Sequence, residues 1–373
     1  TEVLADQHFK SIQNQALKLN LSVAVLTGST KEKERKTMLS RLKKGEIDIL
    51  IGTHALIEKR VEFGRLGLVI IDEQHKFGVA QRAKLWSKKR EFYPHVLVMT
   101  ATPIPRTLAL TLYGDLDVSV IDELPSGRKE IITSHRFDNS RLKVLNFIKK
   151  TVDLGGQVYV VYPLIEESAN KDHKDLMDGY DSLTRYFPKT QIGVLHGKMK
   201  SENKEYEMKR FAEGKSKILV STTVIEVGVD VANASVIIIE SAERFGLSQL
   251  HQLRGRVGRG GAQSYCILMT KYDLSKDSKD RIKAMVGSSD GFKIANVDLK
   301  MRGPGNMMGT KQSGLLELRF VNLAEDYNII KQTRDVVSGL MKNDPNLTNL
   351  KNKGTKEYLK KSIKSNINWS RVS

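Results

Sequence analysis

Part of this chain occurs twice. Laid over residues 197–222, a shift of 169 positions, residues 28–53 match in register: Gly28 falls on Gly197, Gly45 on Gly214, Ile49 and Leu50 on Ile218 and Leu219, and Thr53 on Thr222. Each copy reads as a glycine, a charged helix with a glycine at its C-terminal end, a buried strand and a threonine at the strand tip. "GLVIID" and "ASVIIIE" follow at nearly the same offset. This register constrains the chain to two related α/β domains in tandem.

The remaining pattern agrees. Short runs rich in Val and Ile alternate with longer polar stretches of helical period: "SVAVLT", "DILIGT", "LGLVIID" and "HVLVMTAT", then "QVYVVYPL", "QIGVLH", "KILVST" and "ASVIIIE". Strands apolar on both faces and separated by helices indicate parallel sheets covered on both sides. Between the two series lies "IDELPSGRKE", residues 121–130, where Pro125 and Gly127 break the pattern and set the expected domain boundary.

Ligands of such sheets bind beyond the carboxyl ends of the strands. Thr53 and Thr222 stand at equivalent tips, so one extended polymer can cross both sheets and touch both threonines. Taken singly, each reads equally well as a cap at a strand-to-helix turn. Charge narrows the choice of polymer: Lys plus Arg number 61 against 43 Asp plus Glu, a net +18 that favours a polyanion without specifying one. The single cysteine, Cys266 in "SYCILMT", excludes an internal disulfide framework and reads as a small core residue in a reducing compartment. No apolar run approaches the roughly 20 residues of a membrane span and no signal peptide is evident, so a cytoplasmic protein with no membrane partner is expected.

Four stretches stand out. In "VIIDEQHKFGV" an apolar strand ends on Asp72 and Glu73, adjacent carboxylates that repel each other. A carboxylate there is placed to hold a hydrated magnesium ion, and its neighbour to orient or deprotonate an attacking water. Without further context the pair is a solvated strand end. In "QLHQLRGRVGRG", residues 249–260, Arg254, Arg256 and Arg259 lie among three glycines; arginine stabilises the charge of a transferring phosphoryl group, and small neighbours let it reach. In "STTVIEVGVDV", residues 221–231, Gly228 and Asp230 form a turn whose carboxylate suits a ribose hydroxyl. "TATPIPRT", residues 100–107, closes a strand with two hydroxyls before Pro103 and Pro105. The histidines show no metal-ligand spacing, and His75 is more simply a polar partner than a zinc ligand.

In that order, "DEQH", "TAT", "STTVIEVGVDV" and "QLRGRVGRG" resemble the motifs of superfamily 2 helicases and translocases, over most of the chain. The resemblance implies ATP and Mg2+ as cofactors, with Asp72 on the magnesium and Glu73 activating the hydrolytic water. It implies that Gln252, Arg256 and Arg259 reach the nucleotide from the second domain, near Gly228 and Asp230, and that Thr100, Ala101 and Thr102 couple hydrolysis to motion. Thr53, His54, Thr222 and Thr223 would lie along a nucleic-acid track, with Thr1 and Glu2 of "TEVLA" and His196 and Gly197 of "LHG".

Within that superfamily, "DLKMRGPGNMMGTKQSG", residues 298–314, resembles the translocation motif shared by the RecG branched-DNA helicases and the transcription-repair coupling factors. "DEQH" and "RGPG" favour the RecG family. By this likeness the fold is α/β: two tandem RecA-like domains with parallel sheets, 1–122 and 123–272, then a helical hairpin, translocation-motif loop and tail over 273–373. Arg281, Arg302 and Gln312 would convert domain closure into a push on duplex DNA. The implied partners are branched double-stranded DNA (stalled forks and Holliday junctions, in recombination and repair) and single-stranded-DNA-binding protein.

One departure matters. No G-x-x-x-x-G-K-[ST] loop, which cradles triphosphate in these enzymes, occurs in the chain. "TEVLA" normally follows that loop, so the chain is expected to begin after it and to have little or no ATPase or unwinding activity alone. Two alternatives stand beside the motor reading: a transcription-repair coupling translocase, and a non-catalytic DNA-binding scaffold. Beyond about residue 340 the chain is polar and lysine-rich, a terminal helix or a mobile tail.

Overall fold

The computed structural model describes residues 2–73, 94–103, 117–163, 169–226, 231–302 and 326–365. They fall into two compact units, 2–73, 94–102, 124–163, 169–226 and 231–289 in the first and 103, 117–123, 290–302 and 326–365 in the second.

The first unit opens with helix α1 (Glu2–Lys18), strand β1 (Val23–Leu26), helix α2 (Glu32–Lys44) and strand β2 (Ile49–Gly52). Acidic residues in the first turn of α2 and Arg41, Lys43 and Lys44 in its last complement the helix dipole. Gly45 ends it in the left-handed conformation, φ 77°, its N–H returning to Leu42. β1 and β2 pair in parallel over a small core of Leu26, Leu42, Ile47, Ala55 and Val61.

Strands β3 (Leu68–Ile71) and β4 (His95–Val98) form a second parallel pair. Here the expectation of strands apolar and covered on both faces differs from what is seen. Leu68, Ile70 and Leu97 are about half exposed, and among the described residues β3 and β4 pair only with each other, as do β1 and β2.

A six-stranded, all-parallel sheet completes the first unit: β5 (Ile132–Phe137), β6 (Gln157–Val161), β7 (Ile192–Leu195), β8 (Ile218–Ser221), β9 (Ala234–Ile239) and β10 (Tyr265–Thr270), in the order β5-β10-β9-β6-β8-β7. Its helices are α3 (Arg141–Asp153), α4 (Ala169–Tyr186), α5 (Ser201–Ala212), α6 (Leu247–Arg254) and α7 (Lys276–Gly287). Strand alternation explains the unbroken apolar runs. Val158, Val160, Ile218, Val220, Val236 and Ile238 enter one core with Val144 and Ile148 of α3 and Leu176 and Leu183 of α4. The residues between them, Tyr159, Leu219 and Ile237, are equally buried on the opposite face, where Tyr159 meets Phe211 at 4.8 Å. Each such side chain contributes about 1.5–3 kcal/mol.

The repeat is borne out element for element at the shift of 169. β1, α2, β2 and the 3-10 turn His54–Ile57 correspond to β7, α5, β8 and the 3-10 turn Thr223–Glu226. Val23 pairs with Ile49 where Ile192 pairs with Ile218, and Gly214 ends its turn at φ 71° as Gly45 does at 77°. Even the strand-tip contacts agree: Thr53 N–H donates to Leu26 and Thr222 N–H to Leu195.

In the second unit, α8 (Gly291–Arg302) is followed by α9 (Tyr327–Asn343) and α10 (Lys353–Ser365). The lysine-rich stretch is therefore helical over much of its length. Asp344 anchors the α9–α10 connection, accepting from the N–H groups of Thr348 and Asn349, the Thr348 hydroxyl and the Asn352 amide. These bonds, that of Asn352 first, hold its carboxyl well below the usual carboxylate range. No described helix is long and apolar enough to cross a membrane.

Candidate active site

Asp72 leaves the carboxyl end of β3 with its side chain about one-third exposed, and Oδ1 accepts the N–H of Glu73 at 2.8 Å. Glu73 has φ 51°, in the left-handed region that non-glycine residues avoid. That conformation turns the two neighbouring side chains out of the alternation of a strand. Among the described residues no group of three or more His, Cys, Asp or Glu gathers that could cage a metal. The donor set suits magnesium all the same, since that ion keeps several waters and takes one or two carboxylates plus phosphate oxygens.

His8 of α1 lies beside this pair, Nε2 3.4 Å from Asp72 Oδ2, an ion pair when the imidazole is protonated. His8 is not foreseeable from any motif, because the contact spans 64 residues and follows no motif spacing.

After β4 the chain turns through Thr100, Ala101 and Thr102, closed by the Thr102 N–H on the Thr100 hydroxyl at 3.2 Å. Gln252 of α6 donates from Nε2 to the Thr102 hydroxyl. Thus the residues from "TAT" and "QLRGRVGRG" meet, 150 positions apart in the chain.

Past α6, Arg256 is buried and Arg259 exposed, on either side of Val257 and Gly258. Arg259 Nε donates to Gly255 O at 3.4 Å, across its own turn. The third arginine does something else. Arg254 is 3% exposed and donates to the carbonyls of Met285, Ser288 and Ser289, at 2.7 to 3.1 Å. It thereby caps the end of α7, and burial pulls its pKa down. Its position was readable: it follows Leu247 and Leu250 by seven and four residues, on the apolar face of a helix. The neighbouring Cys266 is fully buried, its thiol pushed up to about 12, which makes it an inert core residue.

Of the track residues, Thr53 and Thr222 share an uncommon property. The Oγ1 of each is buried and has no hydrogen-bond partner among the described residues, although Thr222 is 1% exposed. His54 and Gly197 are exposed, His196 and Thr223 half-buried. Glu2 accepts from the N–H and hydroxyl of Ser29, holding the turn after β1. Arg281 of α7 donates to the carbonyls of Phe245 and Glu243, tying α7 to the loop before α6. Thr1, Gly228, Asp230 and Gln312 lie outside the described residues, as does the side chain of Arg302.

Comparison with known proteins finds relatives over most of the chain. Residues 1–111 match the DEAD/DEAH box helicase family, residues 139–261 the helicase conserved C-terminal domain, and residues 288–373 the C-terminal part of domain 3 of ATP-dependent DNA helicase RecG. The chain is 53% identical over 348 residues to ATP-dependent DNA helicase RecG of Synechocystis, covering 93% of the chain and 42% of the relative. To that of Streptococcus pneumoniae it is 52% identical, covering 91% and 50%. A structure of RecG bound to a three-way DNA junction superimposes with a TM-score of 0.69 at 45% identity, covering 89% of this chain and 42% of that one. The chain spans about half the length of the curated relatives it matches. With three helicase models in succession along it and half its residues shared with these relatives, the chain belongs to the RecG family of superfamily 2 helicases.

Proposed function

We propose that this chain is the motor part of an ATP-dependent helicase that translocates on double-stranded DNA and remodels branched substrates, stalled forks and Holliday junctions among them. The observation that carries the reading is the bond from Gln252 to Thr102. It joins the arginine-bearing α6 turn to the threonine turn beside the Asp72 strand, the link a machine needs if hydrolysis is to move one half against the other. The RecG relative with a three-way DNA junction supports the branched substrate.

In this mechanism Asp72 holds magnesium, which when bound draws charge from the phosphate oxygens of ATP. Glu73 orients the attacking water and accepts its proton. Arg256 and Arg259 stabilise the charge on the transferring phosphoryl group, a role worth about 10³- to 10⁵-fold in rate. Gly228 and Asp230 take the ribose. Thr100, Ala101, Thr102 and Gln252 register the state of the nucleotide, and Arg281, Arg302 and Gln312 pass it on to the duplex. Thr1, Glu2, Thr53, His54, His196, Gly197, Thr222 and Thr223 line the DNA path, where contacts to phosphate make binding sensitive to salt and indifferent to sequence.

The domains are 1–122, 123–272 and 273–373, working in the cytoplasm on DNA that single-stranded-DNA-binding protein also occupies. The activity belongs to a polypeptide of the relatives' length that supplies a phosphate-binding loop. Glu73→Gln in that longer polypeptide tests the reading. Loss of ATP hydrolysis with DNA binding retained is expected; fork processing that survives the substitution favours a scaffold instead.

A further inference from the structure

The segment Leu124–Ile131 lies between the two helicase matches and outside both. It is nonetheless fastened to the turn that carries Arg259. Arg128 Nε donates to Gly258 O at 2.8 Å, across 130 residues. That carbonyl belongs to the peptide plane from which Arg259 departs, so holding it fixes the direction in which Arg259 leaves the chain. Gly258 is in the left-handed region, φ 78°, and a Cβ there would lie 2.9 Å from Ile131. Gly260 approaches Ala232 so closely that a Cβ would stand 2.5 Å from its carbonyl oxygen. The pairing continues beyond the turn, with Ile132 N–H on Ser264 O at 3.0 Å and Gln263 Nε2 on Glu130 O at 2.8 Å. Arg128 and Arg259 face one cavity of about 460 Å³, walled otherwise by Pro125, Ser126, Gly127, Gly260 and Gly261.

We propose that Arg128 is a positioning residue for Arg259: its guanidinium sets the peptide plane of Gly258 so that Arg259 reaches the transferring phosphoryl group. The proposal rests on the motor reading above. Misplacing a catalytic group by about 1 Å costs on the order of 100-fold. The inter-domain segment is thus part of the catalytic apparatus, and whatever moves that segment retunes the arginine.

The test uses a double-mutant cycle in the polypeptide of the relatives' length, reading DNA-stimulated ATP hydrolysis, with thermal melting as a check on folding. Arg128→Ala is expected to lower kcat about 10- to 100-fold while KM for ATP stays within about twofold, the pattern of an interaction made in the transition state. On an Arg259→Ala background Arg128→Ala is expected to change kcat little, because the two act as one unit. Arg128→Lys, which can still donate to Gly258 O, is expected to recover most of the loss. Unchanged kcat in Arg128→Ala, or a full multiplicative effect in the double variant, overturns the proposal. If Arg128→Ala melts early, Arg128→Lys and amide hydrogen exchange at Arg259–Gly261 in the 373-residue chain decide: faster exchange than in the unsubstituted chain supports positioning, and equal exchange overturns it. Absence of any Glu73-dependent hydrolysis in the unsubstituted polypeptide would instead sink the motor reading, and the exchange experiment still tests Arg128.

Discussion

The two copies of the repeat have the same backbone plan in different surroundings. β8 lies between β7 and β6, and all four of its residues are buried; β2 has β1 alone as a described partner, and none of its four is. The helix-ending glycines, the strand register and the 3-10 turn after each strand nevertheless coincide. Local geometry therefore follows from local sequence, whereas burial depends on what packs around the strand.

The largest expected difference between the copies lies in equivalent core positions. Leu42 and Phe211 occupy the same place at the end of α2 and α5, and both are buried. Phe211 packs on Tyr159 in the large sheet, while Leu42 sits in a core of five residues with half-exposed neighbours. Phe211→Ala is expected to cost about 3–5 kcal/mol and Leu42→Ala about 2–3 kcal/mol, the lower end of its range, because a site near the surface collapses more readily. Hydrogen-exchange free energies for β8 and β2 amides measure both. Equal losses would break the comparison, since surroundings would then not matter.

The next substitution should show no difference. Gly45→Ala and Gly214→Ala each force a Cβ into the left-handed region, at φ 77° and 71°. A Cβ at Gly45 meets nothing within 4 Å and one at Gly214 only the flexible end of Lys217. Conformational strain alone remains, about 1–2 kcal/mol at each site. Chemical denaturation that finds one replacement costly and the other neutral would show that the copies do not share their local plan.

A smaller effect separates the strand tips. Thr222→Val replaces a buried hydroxyl that has no partner among the described residues by a methyl group and is expected to stabilise the protein by about 1 kcal/mol, with Thr53→Val gaining less because Thr53 is only half-buried. If these hydroxyls serve DNA, both substitutions should also weaken duplex binding, measurable by anisotropy. Stabilisation with unchanged binding would leave the threonines as simple caps.

These positions also show what a single sequence discloses. The repeat, the strand ends at Asp72 and Thr102 and the turn around Arg259 were legible because each depends on residues within one or two elements. The exposure of Leu68, Ile70 and Leu97 was not legible, since apolar alternation reports what a strand can bury and not whether a partner is there. Nor were the contacts of His8 with Asp72 and of Arg128 with Gly258, which depend on how distant segments meet. Arg254 was legible as an arginine among glycines but misleading in company, since Arg259 is exposed while Arg254 is buried and caps α7.

The smallest expected effect is one of pH, and it too divides the copies. In the first, buried Arg35 of α2 donates to Glu58 at 3.0 Å; at the equivalent place in the second, Lys204 donates to the carbonyl of Gly197. The hydrogen bond from Arg60, with Arg35 adding its charge, holds the Glu58 carboxyl below its ordinary value of 4.5. A carboxyl whose pKa is lower folded than unfolded contributes stability that is present above the unfolded value and lost as pH falls through the folded one. The first copy should therefore loosen below about pH 4.5, while the Lys204 contact, whose acceptor does not titrate, persists. Hydrogen exchange of α2 and α5 followed from pH 6 to pH 3, corrected for the intrinsic rate, reads the contrast. Glu58→Gln should abolish it, leaving both helices with the same flat profile; a slope that survives the substitution would assign the acid sensitivity of α2 to another carboxylate, Glu32 beside Arg60 being the nearest candidate.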